Sequence, residues 1–171
     1  WSLEPLVTVL ISPGQAQTAI QATSLHELGH AFGLWGHSDQ AGDALAVNLD
    51  YSRPSKKGRK IFGGLVPFNK IWRTGANNPT TISFSDDVKI NNKLIGAGEY
   101  HVYSVPTESK LDLVIYEKTE AWGSLPYFDD SLIKARIETD FINLPYNVET
   151  FTISFENISN NGSTLNIAWD N

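Results

Sequence analysis

The sequence predicts a mainly β protein with one N-terminal α-helix, α+β overall, in which a strand–helix segment precedes an antiparallel β-sandwich or barrel-like domain. Apolar residues recur at helical spacing only between residues 15 and 34. Eight short apolar or alternating runs follow, and Asp, Asn and Gly turns separate them. The 171 residues suffice for one ordinary domain or two small ones, and the absence of cysteine excludes disulfides and thiolate metal sites.

The first part of the chain contains one predicted strand and one predicted helix. Leu6–Ile11 are apolar and rich in β-branched residues, as in a buried strand. The run 12–14 contains Pro and Gly and breaks that strand. The helix is predicted over Gln15–Leu34, and Gly33 and Gly36 are expected to end it.

The second part is predicted to be β-rich. Its last two strands alternate cleanly between apolar and polar residues, and the turn 160–162 between them (Asn-Asn-Gly) predicts a hairpin. The predicted strands are Ala44–Tyr51, Lys70–Arg73, Thr80–Phe84, Tyr100–Val105, Leu111–Glu117, Leu132–Glu138, Val148–Glu156 and Ser163–Trp169. Short strands of this kind, joined by such turns, are typical of an antiparallel sandwich or barrel.

Composition changes near residues 43–50, where we expect a domain boundary. Residues 1–52 contain no Lys or Arg, so all 13 basic residues follow, and all 13 Asn residues lie from position 48 onward. We therefore predict two domains, residues 1–45 and residues 46–171. The chain starts at Trp1 and contains no methionine, so we also expect a processed, excised or partial product, or a fusion.

The run His26-Glu27-Leu28-Gly29-His30 carries the clearest chemical signal. Two histidines four residues apart project from one face of a helix, where a tetrahedral Zn²⁺ ion can bind both imidazoles. Glu27 lies beside the first ligand and can take a proton from metal-bound water. Gly33 lets the chain turn sharply, so that a later histidine can reach the metal. This arrangement suits amide hydrolysis by a zinc-activated water.

Residues 5–45 resemble the metzincin metallopeptidases, above all the matrixin-like branch, through the run from His26 to His37. The resemblance implies Zn²⁺ held by His26, His30 and a third histidine, with Glu27 as general base. The usual third position, 36, is glycine, so we assign His37 as the third ligand, with Asp39 as the alternative. Two further departures are Leu45 at the methionine-turn position and the single strand before the helix, where a metzincin has several.

Residues 46–171 resemble a bacterial β-rich family known only as domain of unknown function 2911. The resemblance depends on the runs 51–67 and 71–77, on Thr-Ile-Ser-Phe at 81–84 and on the C-terminal run 148–157. It implies an exported or envelope-associated β-domain and no known activity. The expected location is therefore secreted or periplasmic in a bacterium.

Three other features are candidates for function. The run 53–60 has five basic residues, which predict a solvated loop or an anion site. The segment Trp72–Asn77 combines an aromatic ring, a cation and a polar turn, so it either lines a small pocket or packs as a hydrogen-bonded turn. His101 lies in a predicted strand between Tyr100 and Tyr103 and is expected to be an ordinary sheet residue.

Two functions are compatible with these observations. One is a zinc-dependent metallopeptidase that acts on a peptide or protein substrate, and the other is a non-catalytic exported β-sandwich that binds a ligand and carries a vestigial or grafted zinc-motif helix. The net charge of −6 argues against nucleic acid as a partner, and the sequence has no apolar run long enough for a membrane span.

Overall fold

The structure, a computed structural model, describes residues 5–13, 20–22, 45–159 and 162–170. These residues form two sheets of six strands each. The twelve strands are β1 (Pro5–Pro13), β2 (Ile20–Ala22), β3 (Leu45–Asp50), β4 (Thr80–Phe84), β5 (Val88–Ile90), β6 (Lys93–Ile95), β7 (Gly98–Pro106), β8 (Lys110–Glu117), β9 (Ile133–Asp140), β10 (Ile142–Asn143), β11 (Val148–Ser159) and β12 (Gly162–Asp170).

The first sheet has the order β11-β12-β1-β5-β6, with β10 paired to the end of β1. All its pairings are antiparallel among the described residues. β11 and β12 form the predicted C-terminal hairpin, with Phe155 opposite Leu165. The N-terminal strand β1 lies between β12 and β5, so it is an interior strand of this sheet.

The second sheet has the order β2-β3-β4-β7-β8-β9. Neighbouring strands run antiparallel, except that β2 runs parallel to β3 with Ile20 opposite Leu45. The pairing of β4 with β7 ends where Thr80 lies opposite Val102. Two residues further along β7, a single bridge joins Ser104 to Trp72. The strand predicted over Lys70–Arg73 is therefore reduced to this bridge.

The predicted N-terminal helix is wrong, and with it the α+β fold class. Ile20–Ala22 lie inside the predicted helix Gln15–Leu34 and form β2 instead. The described part of the chain has one short 3₁₀ helix, Asp130–Leu132, and no α-helix. A short segment such as this fits the spacing of a helix as well as that of a strand, and here pairing with β3 favours the strand. The division into domains at residue 45 stays a prediction.

One cluster of buried apolar side chains has members on both sheets, which therefore pack face to face. Ile82 and Leu113 from the second sheet and Ile90 and Ile167 from the first are each at most 3% exposed. A second, smaller cluster contains Tyr103, Val114 and Tyr116. Since neighbouring residues of these strands belong to the first cluster, the second lies on the outer face of the second sheet.

No helix in the described ranges is both long and apolar enough to cross a lipid bilayer.

Candidate ligand-binding site

The residues of the predicted zinc site lie outside the described residues. His26, Glu27, His30 and His37 all fall within 23–44, so the zinc site and its general base stay predictions. Within the described ranges, no three His, Asp or Glu side chains are grouped so that they could hold a metal ion. Leu45, predicted to support the metal site, begins β3 and is buried in the main core.

The segment Trp72–Asn77 forms a tight turn held by its own polar groups. The Trp72 indole N–H donates to the Gly75 carbonyl at 2.9 Å, and the Thr80 hydroxyl donates to the Thr74 carbonyl at 2.6 Å. The Thr74 and Ser104 hydroxyls lie 2.8 Å apart, and both residues are fully buried. A side chain at Gly75 would meet the Thr80 hydroxyl at 3.2 Å, so the turn needs a small residue there.

Beside this turn lies a cavity of about 300 Å³. This volume is at the small end of the range for ligand pockets. Its lining is Pro54, Arg59, Leu65, Val66, Pro67, Lys70, Ile71, Trp72, Arg73, Gly75, Ala76, Ser124 and Trp169. The segment Trp72–Asn77 therefore both forms a hydrogen-bonded turn and lines a pocket, the two alternatives that its sequence left open.

Stacked indole rings form the inner wall of the cavity. The ring centroids of Trp72 and Trp169 are 5.9 Å apart, with an interplanar angle of 20°. Phe151 meets both rings edge-on, at 5.2 and 5.6 Å. The Trp169 N–H donates to the Glu149 carbonyl at 3.3 Å, so both indole N–H groups are occupied and the wall is apolar.

Among the residues that the structure describes, three cations and no acidic residue line the cavity: Arg59, Lys70 and Arg73. The Arg59 guanidinium donates to the backbone carbonyls of Lys56 and Ser55, at 2.9 and 2.6 Å. None of the three cations takes part in an ion pair with another described residue. Because no carboxylate of the described residues pairs with them, these three side chains give the cavity a positive field in a chain whose net charge is −6.

Arg73 differs from the other two cations in its buried side-chain nitrogen. Its Nε is buried and has no hydrogen-bond partner within the described part of the chain. Its backbone N–H donates to the Ser124 hydroxyl at 3.2 Å, which ties the arginine to the loop between β8 and β9. Leaving a charged N–H buried without a partner is unfavourable, and an anion in the cavity would relieve that cost.

The basic run 53–60 divides into residues with different surroundings. Arg53 donates to the Phe151 carbonyl and to the Thr152 hydroxyl, at 3.2 and 3.0 Å, and so clamps the loop to β11. Lys56 forms an ion pair with the buried Asp170. Of the five basic residues in this run, only Arg59 lines the cavity.

The candidate runs 53–60 and 72–77 include six of the thirteen lining residues and miss seven: Leu65, Val66, Pro67, Lys70, Ile71, Ser124 and Trp169. The sequence predicts Trp169 and Lys70 only as strand residues, and Ser124 belongs to no predicted feature. No local pattern marks these positions, since they lie far apart in the chain and only the packing of the two sheets brings them together.

His101 is an interior residue of β7, as predicted, and it is 5% exposed. Burial lowers the pKa of its imidazole, nearby Lys118 lowers it further, and Glu99 and Glu120 oppose the shift. Its ring meets Tyr103 edge-on at 6.0 Å. Burial, with a smaller contribution from Tyr116, raises the pKa of Tyr103 to about 12.

A family model described as "Protein of unknown function (DUF2911)" matches residues 37–171. Comparisons with curated proteins and with solved structures give no match. The predicted resemblance over 46–171 is confirmed and extends to residue 37, whereas these comparisons give no support to the resemblance to metzincins. The match covers well over half of the chain, and the chain belongs to the DUF2911 family.

Proposed function

We propose that this chain is a ligand-binding module of an exported protein and that its cavity binds a small anion with an apolar body. The observation that carries the proposal is the cavity wall, in which the described residues supply three cations, no acid and no partner for the buried Arg73 Nε. A planar guanidinium matches the two oxygens of a carboxylate or two oxygens of a phosphate.

The rest of the wall determines the body of the ligand. Leu65, Val66 and Ile71 contribute apolar side chains, and the two indoles contribute flat rings whose N–H groups are already occupied. A neutral polar ligand would lose its water here without gaining partners for its polar groups. A carboxylate attached to a small apolar group satisfies both parts of the wall.

The test measures the binding of benzoate, benzyl alcohol and inorganic phosphate by calorimetry and by the fluorescence of the cavity tryptophans. We expect benzoate to bind about tenfold more tightly than benzyl alcohol, a difference of about 1.4 kcal/mol, because only benzoate pairs with Arg73. Arg73→Gln should weaken benzoate binding by about tenfold or more, the loss of one charge-assisted contact.

Arg136→Gln is the matched control, because Arg136 lies outside the cavity, 3.5 Å from Asp112 and over the Phe128 ring. It removes the same charge and should leave benzoate binding within about twofold, because Arg136 does not line the cavity and salt screens exposed charges. Absence of binding by every anion at millimolar concentration, or an equal loss in the two variants, would overturn the proposal.

The zinc-peptidase interpretation is supported only by the sequence, through His26, Glu27, His30 and the third ligand His37. It predicts about one Zn²⁺ per chain by elemental analysis. His30→Ala should abolish the bound metal, whereas His101→Ala should retain it. A metal content that is the same in the wild type and in His30→Ala would exclude this site.

A further inference from the structure

The loop between β8 and β9 presents an exposed aromatic side chain beside the cavity. Trp122 is 75% exposed, and Tyr127, on the same loop, is 76% exposed. Ser124, two residues after Trp122, lines the cavity. Tryptophan and tyrosine are enriched among the residues that contribute most to binding, so exposed rings on a loop that reaches the cavity are candidates for a binding role.

Two distances place the residues that follow Trp122, Gly123 and Ser124, against Arg73. The Ser124 hydroxyl accepts from the Arg73 backbone N–H at 3.2 Å. A Cβ built on Gly123 would lie 3.8 Å from Arg73 Nη1, and Gly123 has a φ of +80°. The glycine permits this backbone conformation. Trp122 is its chain neighbour, so the Trp122 backbone lies close to Arg73, and a ligand paired with Arg73 is within reach of this exposed residue.

The charges on this loop argue against a lipid surface as the partner. Glu120, Asp129 and Asp130 are exposed on the same loop. Hydrogen bonds from Ser131 lower the pKa of Asp129, so its carboxylate is ionised at neutral pH. Peripheral membrane proteins carry several Lys and Arg residues beside the rings that enter an anionic bilayer, whereas the single cation of this loop, Lys118, is paired with Glu99.

The same chemistry suits a sugar that carries a carboxylate. The face of an indole has a negative potential and packs against the polarised C–H bonds of a pyranose ring. Carboxylate side chains accept hydrogen bonds from sugar hydroxyls. The basic cavity, in turn, complements the charge of a uronate carboxylate.

We propose that the ligand is an acidic oligosaccharide, with one uronate carboxylate paired to Arg73 and a pyranose ring stacked on Trp122. This inference rests on the proposed function, because it requires the cavity to bind an anion. It adds the class of ligand and a second contact residue outside the cavity wall.

The test compares a galacturonate trimer, its neutral methyl ester, acetate and phosphatidylglycerol vesicles as ligands of the full chain. We expect the trimer to bind about tenfold more tightly than acetate, since stacking adds to the same ion pair. Trp122→Ala should remove that advantage and leave acetate binding within about twofold. Arg73→Gln should weaken the binding of both anions, and the methyl ester should bind weakly to every variant.

Leu94→Ala is the control for loss of an exposed apolar side chain, because Leu94 is 61% exposed on β6 and does not line the cavity. It should leave the binding of both anions unchanged. A trimer that binds no more tightly than acetate, or vesicle binding that depends on Trp122, would overturn the sugar assignment and leave the anion site standing. Failure of acetate, benzoate and the trimer to bind would overturn both proposals.

Discussion

Two aromatic clusters lie on opposite faces of the second sheet, and they differ in what surrounds them. The inter-sheet cluster, which consists of Phe62, Trp72, Phe151 and Trp169, borders a cavity with three cations. The outer cluster, which consists of Tyr103, Tyr116 and Phe128, is joined by edge-on and tilted ring contacts of 5.6–6.0 Å. Both contain large rings, but only the first borders the described cavity.

The arginines beside the two clusters show the same contrast. Arg136 lies 5.4 Å from the centre of the Phe128 ring and 3.5 Å from Asp112, so its charge has an acidic partner. Arg73 borders the cavity and has no acidic partner within the described ranges of the chain. A neutralised arginine over a ring is a packing feature, whereas an arginine without an acidic partner in a cavity is suited to an anionic ligand.

The largest expected effect is the loss of stability when a buried ring of the inter-sheet cluster is removed, compared with a partly buried ring of the outer cluster. Phe151 is fully buried and contacts both cavity indoles, so Phe151→Ala should lower the free energy of unfolding by about 3–5 kcal/mol. Phe128 is only partly buried, so Phe128→Ala should cost less than half as much. Urea unfolding monitored by circular dichroism measures both values.

Binding measurements sharpen the same comparison. Phe128→Ala should bind benzoate like the wild type in conditions where the protein is folded, because the outer cluster does not border the cavity. An equal stability loss in both variants, or a loss of benzoate binding in Phe128→Ala, would contradict the distinction between the two clusters.

A smaller effect is expected on the pH dependence of stability, through His101 on the outer face of the second sheet. Burial holds the pKa of His101 below its ordinary value of 6.5, so as pH falls through about 6.5 the unfolded chain takes up a proton before the folded chain does. Stability from this group is therefore present above about pH 6.5, and it is lost as pH falls through the lower pKa of the folded state.

The measurement is the free energy of unfolding at several pH values between about 7.5 and 5 in the wild type and in His101→Phe. The variant should lose less stability than the wild type over this interval, because a phenyl ring cannot bind the proton. The other histidines are common to both proteins, so their contribution cancels in the difference. Parallel pH profiles would show that His101 takes up its proton equally in both states.

Most strands of the β-rich part could be predicted from the sequence. The predicted strand Thr80–Phe84 matches β4, and Leu111–Glu117 starts one residue after β8 and ends with it. Ser163–Trp169 falls one residue inside each end of β12. Alternation of apolar and polar residues carries this information because one face of each strand is buried. The short strands β5 and β6 were missed, because three residues are too few to show a period.

The prediction of an N-terminal helix failed for a related reason. Ile20–Ala22 fit a helical stripe, yet they form a strand parallel to Leu45–Val47. The spacing of apolar residues within a segment cannot show that a strand distant in the chain is available for pairing. Backbone pairing with such a strand outweighs a weak helical preference.

The sequence by itself determined the β-rich class, the C-terminal hairpin and the family, because these depend on local alternation, turn residues and extended runs of matching sequence. Only the tertiary structure decided the site. Arg59, Arg73, Ser124 and Trp169 are separated by up to 110 residues, and they line one cavity because the two sheets and their loops pack together. A cavity wall has no sequence period, so its charge and shape become apparent only after folding.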